Sequence, residues 1–240
     1  MIDVVCYYAD LGRPYRSLME QMCASAKQHI DCRTVILTPT PMDWMGGVFD
    51  TVAPHKSASY AEVTKDNLCQ QRAEAMMSWG AFCNRPAFFV DPDIQFRAAP
   101  RLPEADICLL WRDDKLAMPV NTGFIAASPF DGQKDFWLVY GNTVVNLPTR
   151  IHGWWCDQLG FSCMLGNQHQ AGQKVRVLGA DIALLDARDH CDVPDKVTDR
   201  AWAVHFKGSR KGEGWGDIFA KSVFSDDASA RQLNHLRVVT

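Results

Sequence analysis

Two aspartates at the end of a short apolar run are the residues best suited to do chemistry in this sequence. Ala87–Val90 contains two Phe and one Val, which predicts a buried strand, and Asp91-Pro92-Asp93 follows it directly. Carboxylates so close together repel each other unless a cation lies between them, and Mg²⁺ and Mn²⁺ prefer oxygen ligands. A solvated Asp-Pro-Asp turn is the simpler interpretation. The two aspartates alone do not decide between a metal site and a turn.

A histidine followed by a basic, glycine-containing segment could complete such a site. His205 lies near the end of the apolar run 201–206, and Gly208 and Lys211 follow it. Imidazole is a metal ligand, glycine lets backbone amides approach an anion closely, and lysine supplies a point charge for phosphate. A metal held by the two aspartates and this histidine would form a receptor for a diphosphate. A packed histidine, or a basic loop that binds nucleic acid, are the other interpretations.

Two further polar motifs interrupt apolar segments. Asn121 and Gly123 lie near the start of a predicted strand, where a simple turn would also explain them. Asp157 and Gln158 follow two tryptophans on a predicted helix, either as its exposed polar turn or as groups that bind the hydroxyls of a sugar. In open α/β sheets, ligands bind beyond the carboxyl ends of the strands. We therefore expect these motifs, the two aspartates and the histidine to share one cleft.

An α/β fold with a mostly parallel central sheet flanked by helices is what the hydrophobic pattern predicts. A strand at Ile2–Tyr8, an amphipathic helix at Tyr15–His29 and a strand at Arg33–Leu37 form a βαβ unit. The other predicted elements are helices at Tyr60–Cys83, Asp131–Val145 and Trp154–Leu165, and strands at Ala105–Trp111, Val120–Ala127, Val175–Leu178, Ile182–Leu185 and Ala201–Phe206. We expect a single domain over residues 1–240, with a C-terminal helix or tail from about residue 217.

Composition excludes several classes of function. The chain has 240 residues and a net charge of −3, so no overall basic field points to nucleic acid or to an anionic membrane. The N-terminal residues lack a positively charged signal-peptide region, and no apolar stretch approaches the ~20 residues of a membrane span. Nine cysteines without CxxC pairs predict reduced thiols in a cytoplasmic protein, with neither a disulfide framework nor a zinc site.

Taken in order, the motifs resemble those of GT-A-fold nucleotide-sugar glycosyltransferases. The closest likeness is to the family that contains glycogenin and bacterial lipopolysaccharide galactosyltransferases. Those proteins share a buried strand ending in D-x-D, then an N-x-G segment, a D-Q pair and H-x-x-G-x-x-K. The corresponding residues here are Asp91 and Asp93, Asn121 and Gly123, Asp157 and Gln158, and His205, Gly208 and Lys211.

The resemblance implies a role for each of these residues. Asp91, Asp93 and His205 would bind Mn²⁺ or Mg²⁺ bridging the donor diphosphate, and Asp157 and Gln158 would be the catalytic candidates facing the donor sugar. The residues implied to bind the donor nucleotide sugar are Tyr7, Tyr8, Asp10, Arg72, Asn121, Gly123, Gly208 and Lys211. Among them, the first strand and its loop would meet the nucleotide base.

The implied activity is that of a metal-dependent hexosyltransferase. It would move a hexose from a nucleoside-diphosphate sugar, such as a UDP-sugar, to an acceptor with retention of configuration. The acceptor stays open among a glycan, a protein, a lipid-linked sugar and a modified DNA base. The alternatives are a non-catalytic nucleotide-sugar or carbohydrate-binding module, a nucleotidyltransferase, and a phage-type DNA-base glycosyltransferase.

Overall fold

Eleven strands lie in the part of the chain that the computed structural model describes, which is residues 1–12, 15–115, 118–148, 155–166 and 168–206. In chain order they are β1 (Ile2–Tyr7), β2 (Cys32–Thr38), β3 (Thr51–Pro54), β4 (Ala87–Val90), β5 (Ile94–Phe96), β6 (Ile107–Trp111), β7 (Val120–Ala127), β8 (Lys174–Val177), β9 (Ala180–Asp186), β10 (Cys191–Asp192) and β11 (Ala203–His205). Eight of them form the central sheet, and β10, β11 and β5 form a small second sheet.

The central sheet has the strand order β3-β2-β1-β4-β7-β6-β9-β8. Six of its strands run in the same direction, and β7 and β8 run antiparallel to their neighbours. Every residue of β4 and of β7 is buried, as expected for strands covered on both faces. The predicted mostly parallel α/β sheet is therefore confirmed, and the bounds of β4 and β7 agree with the predicted ones.

Helices cover both faces of this sheet. They are α1 (Arg16–His29), α2 (Leu68–Phe82), α3 (Gln133–Val145), α4 (Cys156–Leu165) and the one-turn α5 (Ala187–His190), together with a 3₁₀ helix at Asp43–Gly47. Val5 and Tyr7 of β1 face the core formed with α2, α3 and α4, whereas Val4 and Cys6 face the core formed with α1. The alternation of side chains along a strand accounts for these two cores.

The predicted helix at Tyr60–Cys83 is wrong in its first two turns, because α2 begins at Leu68. Side chains hold the preceding residues in turns. The Asn67 amide accepts a hydrogen bond from Thr64 N at 2.8 Å and donates one to Glu62 O at 2.9 Å. Such local bonds from side chain to backbone compete with helix formation. Lys65 and Arg72 are seven residues apart, a spacing that predicts one shared helix face, but Lys65 lies in the connection before α2.

The remaining expectations concern further elements, the C-terminal segment, the cysteines and membrane spans. The elements that were not predicted are β3, β5, β10, α5 and the 3₁₀ helix. The predicted C-terminal helix or tail lies outside the described residues, so the single domain stays a prediction. All nine cysteines fall within the described ranges, and all are free thiols. None of the helices described is long and apolar enough to cross a membrane.

Candidate functional site

The Asp91-Pro92-Asp93 segment is a tight turn between β4 and β5. Asp91 N donates a hydrogen bond to Gly123 O at 2.8 Å, which ties the start of the turn to β7, and Ile94 N donates to Asp91 O at 3.3 Å. Proline favours such a turn because its ring fixes φ. The turn begins at the carboxyl end of β4, on the sheet edge where β1 and β6 also end. Both aspartates therefore lie where ligands bind in open α/β sheets.

His205 reaches this turn because β11 pairs with β5. His205 lies opposite Ile94 in the antiparallel register, and Phe206 N donates a hydrogen bond to Asp93 O at 2.9 Å. The imidazole Nε2 is 3.1 Å from Asp93 Oδ1 and 3.2 Å from Asp91 Oδ2. His205 is 1% exposed and Asp93 is 2% exposed. The second sheet thus brings His205 to two aspartates that lie far from it in the sequence.

These three side chains have the composition and spacing of a divalent-cation site. One ligand atom from each of Asp91, Asp93 and His205 lies within 4.8 Å of the other two. Ligand atoms about 2.1 Å from an ion and at right angles to each other are about 3 Å apart, which is close to the distances from His205 Nε2 to the two carboxylates. Carboxylate oxygens suit Mn²⁺ or Mg²⁺, and an imidazole nitrogen is a common ligand of divalent transition metals. The residues present therefore fit such a cation.

Gly123 makes room for the histidine ring. A Cβ added at this position would overlap Cε1 and Nδ1 of His205. Glycine has no such atom, so the imidazole packs directly against the β7 backbone, and Gly123 N donates to the Asn121 Oδ1 at 3.2 Å. The N-x-G segment therefore forms part of the wall behind His205, and it is not a turn before a strand.

Arg72 approaches the same turn from α2. Its Nη2 donates to Thr122 O at 2.7 Å and lies 3.0 Å from Asp91 Oδ1, while Nη1 bonds to Asp157 Oδ2. The register of β7 on β6 shifts at this point, so the Thr122 carbonyl is outside that ladder and can accept the guanidinium. Burial lowers the pKa of Arg72, but the carboxylates of Asp91 and Asp157 outweigh it and hold this pKa above its usual value.

Asp157 is buried at the start of α4, with hydrogen bonds to both of its carboxylate oxygens. Oδ2 accepts from Arg72 and from Thr122 Oγ1, the latter at 2.9 Å, and Oδ1 accepts from Gln158 N at 2.8 Å. Burial raises the pKa of Asp157, and the Arg72 charge opposes this rise. Within the described residues, the buried Gln158 Oε1 has no hydrogen-bond partner.

A cavity of about 360 Å³ opens beside these groups, within the size range of ligand pockets. The predicted site residues that line it are Tyr7, Tyr8, Arg72, Asp91, Asp93, Asp157 and Gln158. Among the described residues, the lining does not include Asp10, Asn121, Gly123 or His205. Gly208 and Lys211 lie outside the described residues.

Tyrosines form one wall of the cavity. Tyr8 lies edge-on to Tyr15 at 6.2 Å between ring centroids and to Trp44 at 6.4 Å. Burial, together with the charge of Asp10, raises the pKa of Tyr8 to about 12, and burial also raises the pKa of Tyr7. Both phenols therefore stay protonated at neutral pH.

The sequence interpretation missed some residues of the site. Thr122 occupies the variable position of N-x-G, yet its hydroxyl and carbonyl bind Asp157 and Arg72. Tyr15, Leu68 and Cys69 also line the cavity. A spacing of seven residues did point to Lys65 as a companion of Arg72, and both line the cavity although Lys65 is not helical. No motif in the sequence marks Tyr15, Leu68 or Cys69 as residues of a site.

Comparisons with known proteins bear on the fold. No protein-family model matches the sequence, and no curated protein matches it. Among solved structures, the chain is similar to a glycosyltransferase involved in the glycosylation of the major capsid of PBCV-1. The TM-score is 0.51 at 8% sequence identity, over 87% of this chain and 93% of that chain. At this identity the likeness shows a shared fold, which confirms the predicted GT-A-type architecture, whereas the narrower glycogenin family stays a prediction.

Proposed function

We propose that this protein is a metal-dependent glycosyltransferase that moves a hexose from a UDP-sugar to an acceptor, with retention of configuration. The observation that carries the proposal is the meeting of Asp91, Asp93 and His205 at the carboxyl edge of a GT-A-type sheet, beside a ligand-sized cavity. The choice of uridine, of a hexose and of retention rests on the resemblance of the ordered motifs to one glycosyltransferase family. Each of these choices is a separate question for experiment.

The charges of the cavity support metal dependence. In the described part of the chain, two cationic and four anionic side chains line it: Lys65 and Arg72, and Asp66, Asp91, Asp93 and Asp157. The guanidinium of Arg72 is already bound to two of those carboxylates. A diphosphate carries negative charge and would be repelled by this lining unless a cation bound with it. A divalent ion at the aspartates would reverse the sign of the local field.

Each group near the cavity has a role in this proposal. Asp91, Asp93 and His205 would hold the cation, which when bound supplies Lewis-acid stabilisation of the charge that develops on the departing nucleoside diphosphate. The free Oε1 of Gln158 is suited to accept a hydrogen bond from a sugar hydroxyl. The tyrosine wall offers apolar ring faces to a planar base. Asp157, with both oxygens bound, supports the site chiefly through Arg72.

A panel of nucleotide sugars with Mn²⁺ tests the proposal. We expect the native protein to be stabilised against heat by one nucleotide sugar with Mn²⁺, to hydrolyse that donor slowly, and to release a nucleoside diphosphate. Asp93→Asn should abolish these effects because it replaces a buried charged ligand with a neutral amide. Asp3→Asn, which alters a buried carboxylate at the amino end of β1, is the matched control and should retain them.

The outcomes separate the proposal from its alternatives. Wild-type turnover by Asp93→Asn would contradict the metal site. Binding without turnover, with every acceptor class offered, would indicate a non-catalytic module. Release of pyrophosphate in place of a nucleoside diphosphate would indicate a nucleotidyltransferase. The acceptor panel should include an oligosaccharide, a peptide, a lipid-linked sugar and DNA that contains a modified base.

A further inference from the structure

Arg72 is shared between two parts of the site that the motifs treat as separate. Its guanidinium bonds to Asp157 on α4, to the carbonyl of Thr122 on β7 and to Asp91 on the turn after β4. The side chain is 10% exposed, and its planar head presents donors in a fixed fork. A side chain whose donors are bound to the protein in this way is built to hold its partners in place.

The two oxygens of Asp91 face different groups because of this contact. Oδ1 lies 3.0 Å from Arg72 Nη2, and Oδ2 lies 3.2 Å from His205 Nε2. The Arg72 contact therefore turns one oxygen away from the candidate cation site and leaves the other directed into it. Without the guanidinium, Asp91, whose side chain is 28% exposed, would lose the contact that holds Oδ1 on the side of α2. Partners of this kind behind a metal ligand commonly control the affinity of the metal.

We propose that Arg72 is a positioning residue for the metal centre, which orients Asp91 as a ligand through one oxygen and anchors it to Asp157 and the β7 backbone. This inference rests on the proposed function, because it assumes that Asp91, Asp93 and His205 bind a divalent cation. It goes beyond that function by assigning Arg72 to the support of the metal ligand and not to contact with the nucleotide sugar.

Charge and geometry must be separated in the test. Removing the Arg72 cation alone would also change the electrostatic attraction for a metal ion. The double variant Arg72→Gln/Asp157→Asn removes one positive and one negative charge together, so the net charge of the cluster is kept while the fork is lost. Arg72→Lys keeps the positive charge but offers no planar fork. Both changes should weaken the metal site if orientation is what Arg72 contributes.

The measurement is the dissociation constant for Mn²⁺ in the absence of any nucleotide, from the electron paramagnetic resonance signal of free Mn²⁺. We expect the constant to rise roughly 10- to 100-fold in both variants, as for other residues that orient metal ligands. The matched control is Arg33→Gln/Asp3→Asn, which removes a bidentate pair with 2.8 and 3.0 Å contacts at the start of β1 and β2. That control should bind Mn²⁺ like the wild type even if it lowers thermal stability to the same degree.

The results distinguish a failure of this inference from a failure of the proposed function. If Asp93→Asn loses Mn²⁺ binding while both Arg72 variants bind within about twofold of the wild type, or more tightly, the positioning role is overturned and the metal site stands. If Asp93→Asn and the wild type bind Mn²⁺ equally, the metal site itself is wrong. If the double variant does not fold, Arg72→Lys alone still tests the proposal. A wild-type dissociation constant for Mn²⁺ in Arg72→Lys would overturn the role of the planar fork.

Discussion

The substitution Gly123→Ala should disturb the candidate metal centre without replacing any of its candidate ligands. The added methyl group would overlap the imidazole of His205 at Cε1 and Nδ1. The ring is 1% exposed, and its Nε2 already lies 3.1 Å from Asp93 Oδ1, so neighbouring groups confine it. Either the ring moves away from the aspartates or the β7 backbone moves away from the ring. Both responses disturb the arrangement of Asp91, Asp93 and His205.

The size of the effect follows from two opposing contributions. Overpacking a well-packed interior costs about 1–3 kcal/mol, because side chains leave their preferred rotamers. Replacing glycine by alanine inside a strand recovers about 0.5–1 kcal/mol of backbone entropy. We therefore expect the free energy of unfolding to fall by about 0–2.5 kcal/mol. The dissociation constant for Mn²⁺ should rise roughly 10- to 100-fold, the usual cost of disturbing the surroundings of a metal ligand.

Urea denaturation and Mn²⁺-dependent thermal stabilisation measure the two effects. Gly47→Ala is a suitable control, since an added Cβ there meets no atom within 4 Å and the residue is exposed in a 3₁₀ helix. A double-mutant cycle with His205→Ala isolates the clash. Once the ring is gone, only the entropy gain of about 0.5–1 kcal/mol should remain, so the coupling energy should equal the overpacking cost of about 1–3 kcal/mol.

The steric account would be refuted by additivity. If Gly123→Ala lowers stability equally with and without the His205 ring, the methyl group does not meet the imidazole, and the pairing of β11 with β5 has been misassigned. Normal Mn²⁺ binding by Gly123→Ala, with a normal free energy of unfolding, would lead to the same conclusion.

Two predictions concern stability away from the site. Hydrogen bonds from Lys27 and from the backbone hold the pKa of Asp50 at about 2, below its usual value of 3.8. Asp50→Asn should therefore lower the free energy of unfolding at pH 7 by about 1 kcal/mol or less, since the carboxylate is 41% exposed. This difference should vanish as the pH falls from about 4 through 2, because the native carboxylate is then protonated. Urea midpoints that differ equally at pH 7 and pH 2 would contradict the prediction. Gly80→Ala should destabilise by about 0–2 kcal/mol, because overlap of its Cβ with the Trp137 ring costs about 1–3 kcal/mol and alanine recovers about 1 kcal/mol inside a helix. Gly141→Ala, which meets a flexible methionine, should cost less, and the reverse order of urea midpoints would refute this packing.

The central strands were predictable because their own residues show that they are buried. β4 and β7 are buried on both faces, so each appears as a continuous apolar run with recognisable ends. The start of α2 was not predictable in this way. Residues 60–67 contain no Pro or Gly, and bonds such as that from Ser57 Oγ to Glu74 Oε2 at 2.6 Å, which hold the connection against α2, depend on residues distant in sequence.

The meeting of His205 with the two aspartates was predictable from the sequence, whereas the contacts of Arg72 were not. The order of the motifs indicated that His205 and the aspartates could meet, and they lie within hydrogen-bond distance. The three contacts of Arg72 could not be foreseen, because they require α2, β7 and α4 to be packed together first. β11 lies within the predicted strand at Ala201–Phe206, but its partners β5 and β10 are only three and two residues long, too short for any periodic signal.

The alternation of side chains along β7 explains why the N-x-G segment serves both sides of the sheet. Thr122 directs its hydroxyl to Asp157 in the layer of α2 and α4, whereas the position of a Cβ on Gly123 meets His205 in the other layer. Arg72 and His205 then approach Asp91 from opposite faces of the sheet, just beyond the end of β4 at Val90. A carboxylate in the middle of a strand could reach only one layer. Asp91 can contact both because it is the first residue beyond the strand, and this position makes it the link between the candidate metal ligands and the Arg72–Asp157 pair.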